Sequence, residues 1–126
     1  MIIAIGIDLI EILRIKSVLA KSGNRFRDRV FTRSEIEYCE SQGSPFASYA
    51  ARFAAKEAGM KALGKGWFDG VRWTDIEVTR ADSGRPTIKL DGAALDEFNR
   101  LGGERIHLSL SHSRELAIAQ VVIDRD

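Results

Sequence analysis

The feature that most constrains this chain is a glutamate inside the apolar stripe of a predicted helix. At a helical period of three or four residues, one face of the stretch 46–64 carries Phe46, Ala50, Phe53, Glu57, Met60 and Gly64. Such a stripe packs against a core, so we expect the Glu57 carboxylate to point toward the core side. A carboxylate that loses hydration there must be paired, protonated or bound to a cation. The alternative is a surface ion pair with Lys61, which follows Glu57 in the favourable i, i+4 order.

Length and composition restrict the number of domains, the partners and the location that we expect for this protein. A chain of 126 residues is long enough to bury one core, so we expect a single domain over 1–126. Its 19 basic and 18 acidic residues give a net charge of +1, which argues against a nucleic-acid partner. Cys39 is the only cysteine and no basic leader is recognisable, so we expect a cytoplasmic location. No apolar stretch approaches the roughly 20 residues that span a bilayer, so no membrane partner is expected.

A second acidic residue follows an apolar run near the start of the chain. The run from Ile2 to Ile7 has no polar interruption, which predicts a strand covered on both faces. Asp8 comes next, before Ile12 and Ile15 begin a helical pattern. Taken alone, Asp8 is best interpreted as the N-cap of that helix. The other interpretation makes Asp8 part of a site.

The rest of the pattern mixes helices and strands. Thr32 to Glu35 fits a capping box, Ser44-Pro45 begins the long helix, and Gly64 ends it. Further predicted elements are strands at 75–80, 87–90, 106–111 and 117–123 and a helix at 91–101, with the first two strands forming a hairpin. The segment from Trp67 to Trp73 has no period and is interpreted as a loop with hydrophobic anchors that covers another part of the chain.

The candidate metal ligands in this sequence are carboxylate oxygens. His107, His112 and Cys39 lack the spacing of a zinc site, and neither a nucleophile elbow nor a Walker phosphate loop is present. Asp8 and Glu57 instead suit magnesium, which takes few protein carboxylates and completes its shell with water and phosphate oxygens. The cations on or directly after the same helix are Arg52, Lys56, Lys61 and Lys65. They cannot all serve one site in a single chain, because Arg52 lies nearly opposite Glu57 on the helix.

The first quarter of the chain is locally basic. Arg14, Lys21 and Arg25 lie in or just after the first predicted helix. These residues form either an ordinary solvated helix face or a surface that attracts an acidic macromolecule. The residues alone favour the first interpretation.

Three motifs resemble the holo-[acyl-carrier-protein] synthase family. They are Gly6-Ile7-Asp8-Leu9-Ile10-Glu11-Ile12, Arg52-Phe53-Ala54-Ala55-Lys56-Glu57-Ala58 and His107-Leu108-Ser109-Leu110-Ser111-His112-Ser113. Asp75-Ile76-Glu77-Val78 and Gly84-Arg85-Pro86 resemble the hairpin of that family, so the resemblance covers the whole chain in order. It implies an α+β fold of the 4'-phosphopantetheinyl transferase type, with a small antiparallel sheet packed on a long central helix, assembled as a homotrimer.

The resemblance also implies an activity and a set of residues. The enzyme would transfer the phosphopantetheine arm of coenzyme A to a serine hydroxyl of acyl carrier protein for fatty acid synthesis, with Mg²⁺ as cofactor. Asp8 and Glu57 would be the metal ligands and, with Lys61, the catalytic residues. The implied nucleotide pocket, shared between subunits, is lined by Arg52, Lys61, Gly64, Lys65, Gly66, Pro86, His107, Ser111, His112 and Ser113. Arg14, Lys21 and Arg25 would dock the acidic carrier protein.

Two other functions remain compatible with the same residues. One is a magnesium-dependent phosphohydrolase, in which Asp8 and Glu57 activate water. The other is a noncatalytic trimeric binding module that holds an acidic partner on its basic helix. Hydrolysis of coenzyme A without a carrier protein would favour the first. Loss of carrier-protein modification with intact docking in Glu57→Gln would exclude the second.

Overall fold

The computed structural model describes residues 1–126 and packs a three-stranded antiparallel sheet against a 19-residue helix. The elements in chain order are β1 (Ile2–Glu11), α1 (Ile12–Ser22), α2 (Asn24–Val30), α3 (Arg33–Glu40), α4 (Pro45–Leu63), β2 (Ile76–Arg80), β3 (Pro86–Leu90), α5 (Gly92–Arg100), β4 (Arg105–His112) and β5 (Leu116–Asp124). The sheet has the order β1-β5-β4, and β2 and β3 form a separate hairpin, as predicted. None of the helices has the length and hydropathy required to cross a membrane.

Local signals in the sequence set most helix boundaries correctly. The Thr32 hydroxyl accepts from the backbone N–H of Glu35 while the Glu35 carboxylate accepts from the N–H of Thr32, which confirms the capping box. Helix α4 begins at Pro45 and ends before Gly64, whose φ of 73° is the left-handed conformation that favours glycine. Helix α2 is an additional element that the pattern of basic residues did not predict.

Strand β1 is longer than predicted and is covered on one face only. It pairs with β5 from Ile2 through Glu11. Ile5, Ile7 and Leu9 point away from α4 and are 56%, 51% and 58% exposed. The prediction of a strand covered on both faces is therefore wrong for a single chain. An uninterrupted apolar run indicates burial on both sides, but only one layer of helix covers this sheet.

Asp8 lies inside β1 and not at the start of a helix. It is opposite Ala119 of β5, and α1 begins only at Ile12. The N-cap interpretation is wrong because pairing with β5 carries the strand past the first polar residue. Since side chains alternate along a strand, Gly6, Asp8 and Ile10 share the face that meets α4.

The sheet approaches the helix very closely at Gly6. A Cβ atom at that position would lie 1.9 Å from the carbonyl oxygen of Ala58 and 2.8 Å from the backbone nitrogen of Ala62. No side chain fits in this space. The backbones of β1 and α4 are therefore in direct contact two residues before Asp8.

Small residues form the side of α4 that faces the core. The fully buried positions of this side include Ala50, Ala54, Ala55 and Ala58. Glu57 is half-buried beside them. The expectation that Glu57 points toward the core is thus corrected: its side chain lies at the edge of the packed face, because contact with β1 selects the alanine side of the helix.

A buried ion pair joins α3, α4 and β2. Lys56 Nζ lies 2.8 Å from Glu35 Oε1, and both side chains are completely buried. The ammonium also donates to the carbonyl oxygens of Trp73 and Ile76 at 3.2 and 2.7 Å. Burial lowers the pKa of Lys56, and the charge of Glu35 opposes that shift. Lys56 is therefore a structural residue and not one of the cations available to a substrate.

Substitution of Gly6 by alanine should destabilise the protein strongly. The added Cβ would collide with backbone atoms, which cannot rotate away as the end of a side chain can. We expect the free energy of unfolding in urea to fall by at least the ~1–3 kcal/mol typical of overpacking. Gly43→Ala is the matched control, because nothing lies within 4 Å of its Cβ position. Equal stability of the two variants would contradict the direct contact between β1 and α4.

Removal of one member of the buried ion pair should also be costly. Lys56→Met leaves the Glu35 carboxylate buried without its cation, so we expect a loss of about 3–5 kcal/mol in urea unfolding. Arg33→Met is the control, since Arg33 and Glu37 form a solvent-exposed pair 3.2 Å apart that should contribute ~0.5 kcal/mol or less. A Lys56→Met loss as small as the control loss would show that water reaches the pair.

Candidate active site

Asp8, Glu57 and Lys61 meet in a cleft between β1 and α4. Lys61 Nζ donates to Asp8 Oδ1 at 3.1 Å and to the carbonyl oxygen of Ile7 at 3.0 Å. The cleft has a volume of about 300 Å³, and its other lining residues are Leu9, Ile10, Arg14, Ile15, Val18, Phe26 and Phe53. Two sequence-distant carboxylates and one lysine thus share a partly apolar site, as the sequence analysis expected for Asp8 and Glu57.

The electrostatics of the cleft favour a bound cation. Burial raises the pKa of the Glu57 carboxyl above its usual range, and the charge of Asp8 raises it further. The charges of Lys61 and Arg14 act in the opposite direction. A divalent cation between the two carboxylates would offset both the lost hydration and the mutual repulsion.

The donor set fits a particular type of metal ion. No group of three or more histidine, cysteine, aspartate or glutamate side chains converges anywhere in the chain. Two carboxylates are nevertheless sufficient for Mg²⁺, which keeps several waters and binds substrate phosphates. The side chains of Asp8 and Glu57 therefore fit a magnesium ion that shares its coordination shell with a phosphorylated substrate.

The three basic residues predicted to dock a carrier protein are not equivalent. Arg14 lines the cleft itself and its charge affects Glu57. Lys21 lies in the last turn of α1 and Arg25 in the first turn of α2, and both are exposed. Of the three, only Arg14 therefore lies at the carboxylates.

The other predicted nucleotide-binding residues are spread over the chain, and none of them lines the cleft. Gly64, Lys65 and Gly66 follow α4, Pro86 begins β3, and Ser111, His112 and Ser113 lie at the end of β4. His107 is also on β4, with Nε2 3.2 Å from Asp124 Oδ2. A single chain does not collect these residues into one pocket with Asp8 and Glu57.

Arg52 has an unusual environment. It is only 3% exposed, its guanidinium carbon lies 4.0 Å from the centre of the Tyr38 ring, and its Nε has no hydrogen-bond partner. The expectation that Arg52 is turned away from Glu57 is confirmed, because it packs against α3. The sequence analysis did not identify Tyr38, since no pattern links it to Arg52.

A second, larger cavity adjoins the cleft. Its volume is about 420 Å³, and its lining residues are Phe26, Arg29, Val30, Phe53, Trp67, Gly70, Val71, Arg72, Trp73 and Thr74. Phe26 and Phe53 line both spaces. Short 3-10 turns form at Trp67–Asp69 and Trp73–Asp75, and most residues of the predicted loop from Trp67 to Trp73 line this cavity.

Comparison with known families gives a match over most of the chain. Residues 4–121 match the model of the 4'-phosphopantetheinyl transferase superfamily. The holo-[acyl-carrier-protein] synthase of Koribacter versatilis is 46% identical over 124 residues, covering 98% of this chain and 99% of the relative. That of Maridesulfovibrio salexigens is 46% identical over 125 residues, covering 99% of this chain and all of the relative.

Solved structures show the same fold. The crystal structure of holo-[acyl-carrier-protein] synthase from Neisseria meningitidis superimposes with a TM-score of 0.88 at 33% identity, covering 99% of this chain and all of that chain. The enzyme from Helicobacter pylori, solved in complex with coenzyme A, gives a TM-score of 0.83 at 31% identity, covering 95% of this chain and 99% of that chain. The predicted α+β fold is thus confirmed.

The pKa of Glu57 in metal-free protein should respond in opposite directions to its two neighbours. We expect Asp8→Asn to lower it and Lys61→Met to raise it, because each variant removes one of the charges that act on Glu57. Titration by NMR of carboxyl-labelled protein in EDTA measures the shift. Asp96→Asn, on the exposed side of α5, is the control.

The raised pKa of Glu57 also makes the stability of the metal-free protein depend on pH. A carboxyl whose pKa is raised in the folded state binds its proton more tightly than in the unfolded chain, so stability is lost as pH rises through that pKa. This loss should be smaller in Asp8→Asn. An unchanged Glu57 pKa in both charge variants would show that the three side chains do not interact.

Proposed function

This chain belongs to the 4'-phosphopantetheinyl transferase superfamily, and we propose that it transfers the phosphopantetheine arm of coenzyme A to a serine hydroxyl of acyl carrier protein. The observation that carries the proposal is the pairing of Asp8 with Glu57 beside Lys61 in one cleft. Relatives that match this chain almost end to end are named for that activity, and one solved relative is a complex with coenzyme A.

The reaction exchanges one phosphorus–oxygen bond for another. The serine oxygen of the carrier protein attacks the phosphorus that bears the pantetheine arm, and the bond from that phosphorus to the bridging oxygen of the pyrophosphate breaks. Adenosine bisphosphate leaves with the bridging oxygen, and the serine loses its proton. The protein contributes mainly by orienting the two substrates and by stabilising negative charge.

Asp8 and Glu57 would hold Mg²⁺ in this reaction. When bound, the ion supplies charge neutralisation at the pyrophosphate. The two side chains reach the cleft from different elements, a strand and a helix, so their separation is fixed by the packing of β1 on α4. Such fixed ligands suit an ion that demands regular geometry.

Lys61 provides the second positive charge of the proposed site. Its side chain is 55% exposed, and its ammonium is held by Asp8 and the Ile7 carbonyl, so it can reach a phosphate without leaving the cleft. A lysine is a suitable point charge for a phosphate oxygen or for the departing group. Lys61 therefore orients the pyrophosphate and stabilises the charge that develops as the bond breaks.

The nucleotide pocket is proposed to be shared between the subunits of a homotrimer. The proposal rests on the distribution of Arg52, Pro86, His107 and the 111–113 segment, which lie outside the cleft of their own chain. The exposed apolar face of β1 supports it further, since an apolar patch of this kind usually marks an interface. The residues proposed to meet the nucleotide are Arg52, Lys61, Gly64, Lys65, Gly66, Pro86, His107, Ser111, His112 and Ser113.

Docking of the carrier protein is proposed to be electrostatic. Arg14 offers positive charge at the cleft, Lys21 and Arg25 offer exposed positive charge on α1 and α2, and acyl carrier protein is strongly acidic. Association should therefore weaken as salt screens these charges. The activity would supply holo carrier protein for fatty acid synthesis in the cytoplasm, where the buried thiol of Cys39 stays reduced.

Mass spectrometry of an apo carrier protein tests the proposal directly. Incubation with coenzyme A and Mg²⁺ should add the mass of phosphopantetheine to one serine, and EDTA should prevent the reaction. Glu57→Gln should lower the rate by roughly 10²-fold or more, a loss typical when an electrostatic group of an active site is removed. Glu37→Gln is the control, because Glu37 is an exposed residue of α3 that lies outside the cleft.

Other outcomes would select the alternative functions. Cleavage of coenzyme A in the absence of carrier protein would identify a phosphohydrolase. Binding of the carrier protein without any modification would identify a binding module. Asp8→Asn should raise the magnesium concentration needed for half-maximal rate, and an unchanged requirement would remove Asp8 from the metal site.

A further inference from the structure

Arg52 is a buried cation without an anionic partner in its own chain. It is 3% exposed, its Nε has no hydrogen-bond partner, and it belongs to none of the ion pairs. Two carboxylates of the adjacent helix α3 are engaged elsewhere, since Glu35 lies 2.8 Å from Lys56 and Glu40 accepts from the Tyr49 hydroxyl at 2.6 Å. A buried guanidinium without a partner is costly, so this position suits an anion from outside the chain.

The ring of Tyr38 brings a second arginine close to Arg52. The guanidinium carbon of Arg52 lies 4.0 Å from the ring centre, and that of Arg80 lies 5.0 Å from it. The two carbons are therefore no more than about 9 Å apart, the sum of 4.0 and 5.0 Å. Arg80 is exposed and, like Arg52, belongs to none of the ion pairs. Two unpaired arginines at one ring concentrate positive charge in a chain whose net charge is only +1.

Arg80 also connects Arg52 to another residue of the proposed nucleotide pocket. Arg80 of β2 is directly opposite Pro86 of β3, and residues paired in this way project from the same face of a hairpin. Arg52 and Pro86 are both among the residues proposed to meet the nucleotide. Tyr38 and Arg80 thus lie between two parts of the pocket that are separated in the sequence.

We propose that Tyr38 is a positioning residue and Arg80 a specificity-determining residue of the nucleotide pocket. Tyr38 holds the guanidinium of Arg52, Arg80 adds a second positive charge, and together they select donors that carry a phosphate monoester on the adenosine. This inference rests on the proposed function, because the pyrophosphate of the same donor is bound at the cleft of an adjoining subunit.

The chemistry of the two arginines explains this selection. A guanidinium that lies over an aromatic ring is held by its face, so its N–H groups remain free to donate to a phosphate in a bidentate manner. A phosphate monoester carries more negative charge than a hydroxyl group, which is what remains when the phosphate is absent. Removal of the phosphate therefore leaves both cations without an acceptor.

Inorganic phosphate is the competing occupant, because it offers the same oxygen atoms. A phosphate that is part of the donor is held near these arginines once the pyrophosphate is bound, which gives it a high effective concentration. The pairing of Arg80 with Pro86 places the second cation beside the proposed nucleotide pocket. Both points favour the donor as the source of the phosphate.

Donor preference tests the two assignments. Carrier-protein modification is measured with coenzyme A and with dephospho-coenzyme A, which lacks the phosphate monoester. The ratio of kcat/KM for coenzyme A to that for dephospho-coenzyme A should fall roughly tenfold in Tyr38→Leu and in Arg80→Met, a loss typical of one desolvated cation–π contact or one charged hydrogen bond. The loss should be a higher KM for coenzyme A, because these residues bind a part of the donor that does not react.

Conservative and matched variants separate positioning from folding. Tyr38→Phe keeps the ring and should keep the wild-type ratio, and Arg80→Lys keeps the charge and should recover part of it. Lys89→Met is the control for net charge, since Lys89 is an exposed cation of the same hairpin. It pairs with Glu77, and the alternation of side chains places it on the face opposite to Pro86. It should leave the ratio unchanged.

Four results would overturn the proposal. They are equal use of both donors by the wild-type protein, equal falls of the ratio in Arg80→Met and Lys89→Met, equal losses with both donors in Tyr38→Leu, and a fall in Tyr38→Phe as large as that in Tyr38→Leu. Thermal stabilisation of the wild-type protein but not of Arg80→Met by inorganic phosphate, with an unchanged donor ratio, would assign the charges to free phosphate instead.

Binding without turnover distinguishes this inference from the proposed function. Calorimetry should show tighter binding of adenosine bisphosphate than of adenosine monophosphate, and Arg80→Met should reduce the difference roughly tenfold. That result without carrier-protein modification by any donor would contradict the proposed function and support the subsite. Equal affinities for the two nucleotides would overturn the subsite whether or not the carrier protein is modified.

Discussion

The contact between the backbones of β1 and α4 at Gly6 determines the geometry of the candidate active site. Because no side chain fits between Gly6 and the carbonyl of Ala58, the strand lies directly on the helix. Asp8 is two residues further along the same face of β1, and Glu57 and Lys61 lie on either side of Ala58 along α4. The separation of the functional groups is therefore set by backbone packing, which is stiffer than any arrangement of long side chains.

The rest of the fold holds α4 in place for this contact. The alanine side of the helix packs on the sheet, and the buried Glu35–Lys56 pair fixes the opposite side to α3 and β2. An ion pair this deeply buried contributes little net stability compared with apolar residues of the same size. The pair instead fixes how α3, α4 and β2 are oriented relative to one another. Lys56 and Glu35 together bind three backbone groups outside their own helices, those of Trp73, Ile76 and Val78.

The single chain leaves two features without partners. One is the apolar outer face of β1, and the other is Arg52, whose buried Nε has no acceptor. In the proposed homotrimer, a neighbouring chain would cover the strand, and Arg52 would contribute to an adjoining site. The cleft and the larger cavity beside it, by contrast, are each lined by residues of one chain.

The sequence by itself determined most of the elements, the two acidic residues of the candidate site and the family, because capping residues, helical period and motif spacing are local properties. It did not determine that Asp8 lies within a strand, that Lys56 is buried with Glu35, or that Glu57 lies at the edge of the packed face of α4. Each of these depends on which surfaces meet: β5 extends β1 past Asp8, and Gly6 selects the alanine side of the helix. These contacts join residues that are far apart in the chain, so only the tertiary structure decides them.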